Sequence, residues 1–130
     1  MEYKCIEIEL PMPISVNKAF ATVMNKKTGK PIRVKSNEYK DWIEIANLAY
    51  NKYDYEITGD EWLWVDIQLF FPLFFDNGKK RKKDVDNYIK TFVDFLTNRI
   101  SWFEDHKIIR LSIEKFDSKN NIVKIKIYEL

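Results

Sequence analysis

Along residues 3–10 apolar and polar side chains alternate, with Ile6, Ile8 and Leu10 on one face and Cys5, Glu7 and Glu9 on the other. This period of two predicts a half-buried strand, which Pro11 and Pro13 end because proline donates no ladder hydrogen bond. Residues 24–36, MNKKTGKPIRVKS, hold Gly29, Pro31 and many cations, and read as an exposed excursion that could close into a small hairpin. From about Asn37 to Tyr53 the spacing changes: Tyr39, Trp42, Ile43, Ala46, Ala49, Tyr50 and Tyr53 fall on one helical face, with Ser36 or Asn37 as its cap. TGD at 58–60 breaks the helix. Alternation returns over 61–71, where Leu63, Val65, Ile67 and Leu69 oppose Trp62, Trp64, Asp66 and Gln68. A polar loop over 76–83 precedes a second helix, about Asp86 to Asn98, with Ile89, Phe92, Val93 and Leu96 on its apolar face. Two more strands are expected at 108–116 and 122–130, joined by DSKNN at 117–121 as a hairpin turn. The order β–α–β–α–β–β, without repeats or linker, predicts one α/β (α+β) domain over residues 1–130. Its sheet should be mixed, with the last two strands antiparallel.

Composition changes this picture little but excludes several classes. The chain has 130 residues, 45% of them hydrophobic, and its four Trp, seven Tyr and nine Phe are enough for a real core. No run approaches the roughly 20 apolar residues of a membrane span, and MEYKCIEIEL is neither a signal peptide nor a lipidation motif, so no membrane partner is expected. Cys5 is the only cysteine, which rules out an internal disulfide or a thiolate cluster and suggests a cytoplasmic home, in a bacterium or a phage-infected host cell. No Gly-rich phosphate cradle is present, and no small-molecule cofactor is expected. The net charge is only +2, but five of the 22 cations occupy residues 79–83.

That run opens KKRKKDVDNYIK. Asp84 and Asp86 flank the predicted helix start, where free N–H groups and the helix dipole favour negative charge. Asp84 as an N-cap would explain one aspartate but not two, nor Lys90, which lies one turn beyond Asp86 with Asp94 a further turn along. An ordinary i,i+4 salt bridge, worth a few tenths of a kcal/mol, is the plain alternative. SWFEDHK, at 101–107, offers a second acidic pair, Glu104 and Asp105. If the strand that follows lies alongside the helix, this corner returns to the helix start and three or four carboxylates converge. Hard oxygen donors of that kind suit Mg²⁺, or Mn²⁺ in its place, and such a site can activate water at a phosphodiester. Lys90 would then offset charge developing on phosphate oxygens. Lys79, Lys80, Arg81, Lys82 and Lys83 would grip a nucleic-acid backbone, whereas a merely solvated loop would have no reason to abut the acids.

Other residues admit two readings each. His106, the single histidine, could ligate or act as a base, but reads better as a surface residue. Cys5 reads as a partly buried strand residue. Trp62 and Trp64 could stack on bases, with a dimer interface or helix packing favoured instead. Phe74 and Phe75 could wedge between bases or anchor a strand end in the core. Asp117 sits in a turn, where Asp is ordinary.

RKKDVDNYIK followed by WFEDHK resembles the RusA family of Holliday-junction resolvases, small phage-associated homodimeric endonucleases. LPMPISVNK (10–18), the basic excursion and SNEYKDW extend the likeness over nearly the whole chain. The resemblance implies that Asp84, Asp86 and Asp105 are metal-binding carboxylates, that Lys90 is the catalytic lysine, and that Asn17 and Asn87 accompany the DNA-binding residues. Glu104 stands where the family has its usual first Asp, and could be an outer ligand. It further implies a Mg²⁺-dependent homodimer making paired, symmetric nicks in four-way DNA during recombination and repair. A non-catalytic DNA-binding module of the same fold is the alternative, and a small-nucleotide hydrolase a weaker one.

Overall fold

A computed structural model of the chain describes residues 4–50, 61–82, 86–100 and 103–130. The alternating segments form the sheet. Strand β1 (Lys4–Pro11) is followed by a single-turn helix α1 (Val16–Ala19), strands β2 (Phe20–Met24) and β3 (Pro31–Lys35), and helix α2 (Asn37–Tyr50). Then come β4 (Leu63–Phe71), helix α3 (Asp86–Arg99), a 3₁₀ turn (Asp105–Lys107), β5 (Ile108–Asp117) and β6 (Ile122–Glu129). The result is a mixed α+β domain. Tyr53 and the expected break at 58–60 lie outside the described residues.

The main sheet has four strands in the order β1-β6-β4-β5, while β2 and β3 form a separate two-stranded ribbon. β4 is parallel to β5 and antiparallel to β6. The expected hairpin at 117–121 is therefore corrected: β5 and β6 run in opposite directions, but β4 lies between them. β4 occupies the centre because its alternate side chains, Leu63 through Phe71, are fully buried. β5 is mostly exposed and suits an edge. A local turn signal could not reveal that a strand made earlier would fill the gap.

One face of the sheet presents Ile6, Ile8, Leu10, Val65, Ile67, Leu69, Val123, Ile125 and Ile127 to the two long helices, all buried. Each contributes about 1.5–3 kcal/mol as it leaves water. α2 anchors through Trp42, whose Nε1 donates to the Pro11 carbonyl at 3.1 Å and whose ring meets Phe95 edge-on at 5.3 Å. Ser36, rather than Asn37, caps α2: its Oγ accepts from the Tyr39 N–H at 3.2 Å and donates to the Lys18 carbonyl at 2.7 Å. On α3 the buried face is Tyr88, Phe92, Phe95 and Leu96, with Ile89 and Val93 only partly buried at its margin. The seam thus lies slightly to one side of the expected one, because two aromatic residues fill the space against Phe71 and Trp42.

The opposite face of the sheet carries Trp64, stacked on Tyr128 at 4.5 Å with the Arg110 guanidinium 4.2 Å above its ring. Trp64 Nε1 donates to Ser112 Oγ, and that hydroxyl donates to Asp66. Trp64 therefore packs across strands and not against a helix. Trp62 is exposed, and so is Cys5, contrary to its expected partial burial.

Candidate active site

The cationic segment is a built turn. Phe75 N–H donates to the Lys79 carbonyl at 2.8 Å, Gly78 N–H to the Phe75 carbonyl at 2.9 Å, and Arg81 N–H to the Leu73 carbonyl at 2.7 Å. Gly78 has φ +83°, a left-handed conformation in which a side chain would be strained. Asn77 Oδ1 accepts from the Lys79 N–H at 3.0 Å and tightens the tip. Phe74 and Phe75 point outward, 45% and 47% exposed, so neither anchors a strand end in the core. The Arg81 guanidinium lies 4.5 Å over the Phe75 ring. Lys79, Lys80 and Lys82 are exposed beside it. Cations and open aromatic faces together offer phosphate contacts and stacking surfaces.

The base of this turn is pinned by a residue that sequence reasoning treated as ordinary. Asp117 Oδ1 accepts from the Leu73 N–H at 2.9 Å, and the Ser118 N–H donates to the Phe71 carbonyl at 3.1 Å. Both bonds tie the turn to the end of β5. An aspartate in a turn gives no sequence signal for this, since its partner lies 44 residues away.

α3 begins next to this turn. Lys83, Asp84 and Val85 lie outside the described residues; Asp86 is the first residue of α3, its side chain outside them too. Tyr88 packs toward Phe71, with ring centres 6.4 Å apart, so the helix starts at the C-terminal end of β4. Burial pushes the Tyr88 phenol up. Asn87 is half-buried and Lys90 exposed. No ion pair joins Lys90 to Asp94 among the described residues. Tyr39, from the first turn of α2, donates its hydroxyl to the Thr91 carbonyl at 3.1 Å and fixes the first half of α3. Burial, and after it the Asp94 carboxylate, raises the Tyr39 pKa, so this hydroxyl keeps its proton at neutral pH. α1 packs against α3 as well, and Asn17 is exposed on it.

The second acidic pair lies elsewhere. Ile108, directly after the 3₁₀ turn, pairs with Leu63 at the start of β4, whereas α3 starts at the β4 end. Fourteen helical residues separate the two ends of α3, about 21 Å at 1.5 Å per residue. The expectation that this corner returns to the helix start is therefore corrected for a single chain. The strand is parallel to β4, so the connecting helix must run the length of the sheet. Glu104 is held locally, 3.2 Å from His106 Nε2 and 3.9 Å from Lys107 Nζ. Asp105, Glu104 and His106 are all exposed. Among the described residues no group of three His, Cys, Asp or Glu side chains is close enough to hold a metal ion.

A mixed α+β domain with a helix starting at Asp86, beside a cationic turn, with exposed Lys90 one turn along it, offers groups that suit a nucleic-acid backbone. The family model for Endodeoxyribonuclease RusA matches residues 11–128, and the chain belongs to that family. Membership makes it an endodeoxyribonuclease of the Holliday-junction-resolving kind, in a family that generally depends on divalent metal. No curated protein matches the chain. No helix among the described residues is long and apolar enough to cross a membrane.

Proposed function

We propose that the protein cuts four-way DNA junctions with paired nicks, as a twofold dimer dependent on Mg²⁺. In this reading each active site takes Asp84 and Asp86 from one protomer and Asp105, with Glu104 outside it, from its partner. The observation that carries the composite site is the length of α3, about 21 Å from the helix start to the end from which the chain leads on to Asp105. A twofold that sets two copies of α3 antiparallel brings each helix start to the other chain's 3₁₀ turn. Two equivalent sites then follow from the symmetry, as two matched nicks require.

The donor set fits a hard divalent cation: carboxylate oxygens and no thiolate, with Glu104 and Asp105 exposed so that water can be retained. When bound, Mg²⁺ would lower the pKa of a water and offset charge on the scissile phosphate. The chain's own residues do the rest. The free N–H groups and dipole at the α3 start favour negative charge there, which suits carboxylates as donors. Lys90, one turn along and unpaired with Asp94, sets a positive charge against the phosphate oxygens as the attacking water adds to phosphorus. For a ligatable nick the P–O3′ bond breaks, leaving a 5′-phosphate and a 3′-hydroxyl. Lys79, Lys80, Arg81, Lys82 and Lys83 hold the strand, with Asn17 and Asn87 at the margins of the site.

The test incubates a synthetic four-way junction and a linear duplex with the protein, in Mg²⁺ and in EDTA. Symmetric nicks in the junction alone, abolished by EDTA, are the expected result. Equal cutting of the linear duplex, or cutting that survives EDTA, would overturn the reading.

A further inference from the structure

The candidate site uses the turn before α3 but leaves a second basic feature without a role. Residues 20–37 contain Lys26, Lys27, Lys30, Arg33 and Lys35 and not one Asp or Glu. β2 and β3 pair only with each other, as a ribbon apart from the main sheet. Apart from Phe20 and Val34, every residue of the two strands is exposed. An isolated two-stranded hairpin is marginal in water. This one also exposes apolar side chains near its tip: Val23 at 43%, Met24 at 63% and Ile32 at 39%. Val23 faces Ile32, and Met24 faces Pro31, across the ribbon.

Its conformation is nonetheless defined at both ends. At the tip, Asn25 N–H donates to the Lys30 carbonyl and Gly29 N–H to the Asn25 carbonyl, each at 2.8 Å, while Asn25 Oδ1 accepts from the Lys27 N–H at 2.9 Å. Gly29 takes φ +68°, which allows the chain to reverse there. Three lysines thus surround a hydrogen-bonded turn. At the base, the Ser36 N–H donates to the Ala19 carbonyl at 2.8 Å, and the Phe20 ring meets Tyr39 edge-on at 5.7 Å. Tyr39 in turn holds the Thr91 carbonyl, one residue beyond Lys90. The Arg33 guanidinium lies 4.1 Å over Phe20.

We propose that the β2–β3 ribbon is a second DNA-binding arm, which lies along a duplex arm of the branched substrate. Lys26, Lys27, Lys30 and Arg33 contact its phosphates, and Val23 and Ile32, paired on one face of the ribbon, lie against the major groove. This rests on the junction-cutting reading above and deepens it. Charge complementarity selects the occupant: five cations with no intervening acid fit a polyanion, and a two-stranded ribbon has the dimensions that the major groove of a duplex admits. Five strand residues at about 3.4 Å each give the ribbon a reach of roughly 17 Å, or about five base-pair steps from its base beside Tyr39. Because the base is tied to the helix that carries Asp86 and Lys90, duplex held by the arm is held in register with the candidate site.

The test compares the parent with Lys26→Gln/Lys27→Gln/Lys30→Gln, titrating junctions with arms of about 5 and about 15 base pairs from roughly 50 to 200 mM salt. The parent should bind the long-armed junction more tightly, and the triple variant should lose that gain. Its log–log salt slope should be shallower by about 2 to 3, since each phosphate contact contributes about 0.9. Val23→Ser/Ile32→Ser should weaken binding without changing the slope. Unchanged melting temperatures would show that the variants keep their fold, as exposed positions should allow. A parent that binds and cuts a junction, with variants that keep its slope and arm-length dependence, overturns the arm alone. A parent that binds no DNA overturns both readings, and attachment of the ribbon to anionic lipid vesicles with no effect on DNA overturns the arm.

Discussion

Asp86→Asn is expected to leave junction binding intact and to abolish measurable cutting. The substitution keeps shape and hydrogen bonding while removing one unit of negative charge from the first residue of α3. The N-terminal dipole tolerates a neutral amide, so the helix should still form. What is lost is a hard anionic donor. Loss of an outer partner of a metal ligand costs roughly 10–100-fold in affinity or activity, and loss of a ligand itself should exceed that. Binding should hold or tighten slightly, because a negative group beside the phosphate has gone. Single-turnover cutting together with a binding titration separates the two effects. Asp86→Asn that cuts as fast as the parent would remove this residue from the site.

Phe92→Ala is expected to have the largest effect on stability, about 3–5 kcal/mol. Phe92 is fully buried on α3, among side chains from the sheet and α2. Removal of the ring loses its transfer free energy and leaves a cavity that β4 cannot collapse to fill, since its side chains are locked between two neighbouring strands. Against a total stability of about 5–15 kcal/mol this is a large fraction. It should lower the midpoint of thermal unfolding by about 10–20 °C for a domain of this size. A shift of only a few degrees would mean that α3 packs more loosely than described. Because α3 also carries Asp86 and Lys90, junction cutting should fall at temperatures where the parent still works.

The elements legible in the sequence were those whose burial is one-sided. β1 and β4 alternate cleanly because one face meets helices and the other does not, and Tyr39, Trp42 and Ala46 mark the buried stripe of α2. β2 gave no such signal. Its side chains are nearly all exposed, so no period of two was imposed on them. Sheet order was hidden for another reason: that β4 separates β5 from β6 depends on pairings remote in sequence, which DSKNN cannot encode. The same holds for the site. The two acidic groups suggest metal-ligand chemistry by residue type alone, but linear spacing does not say which end of the sheet each occupies. That follows only once β5 is seen to be parallel to β4, which obliges α3 to run back along the sheet. Asp117 reads as an ordinary turn residue in the sequence because its role is a single long-range bond to Leu73.

Subunit complementation tests the composite site most directly. Asp86→Asn and Asp105→Asn should each be inactive alone. In a mixed dimer, one site would combine both substitutions while the other would have its full set of carboxylates. Mixing the two inactive proteins should therefore restore cutting in the presence of Mg²⁺, as single nicks from the one intact site. If the mixture, with subunit exchange demonstrated by mass, stays as inactive as either protein alone, the acids of each site come from one chain and the account is contradicted.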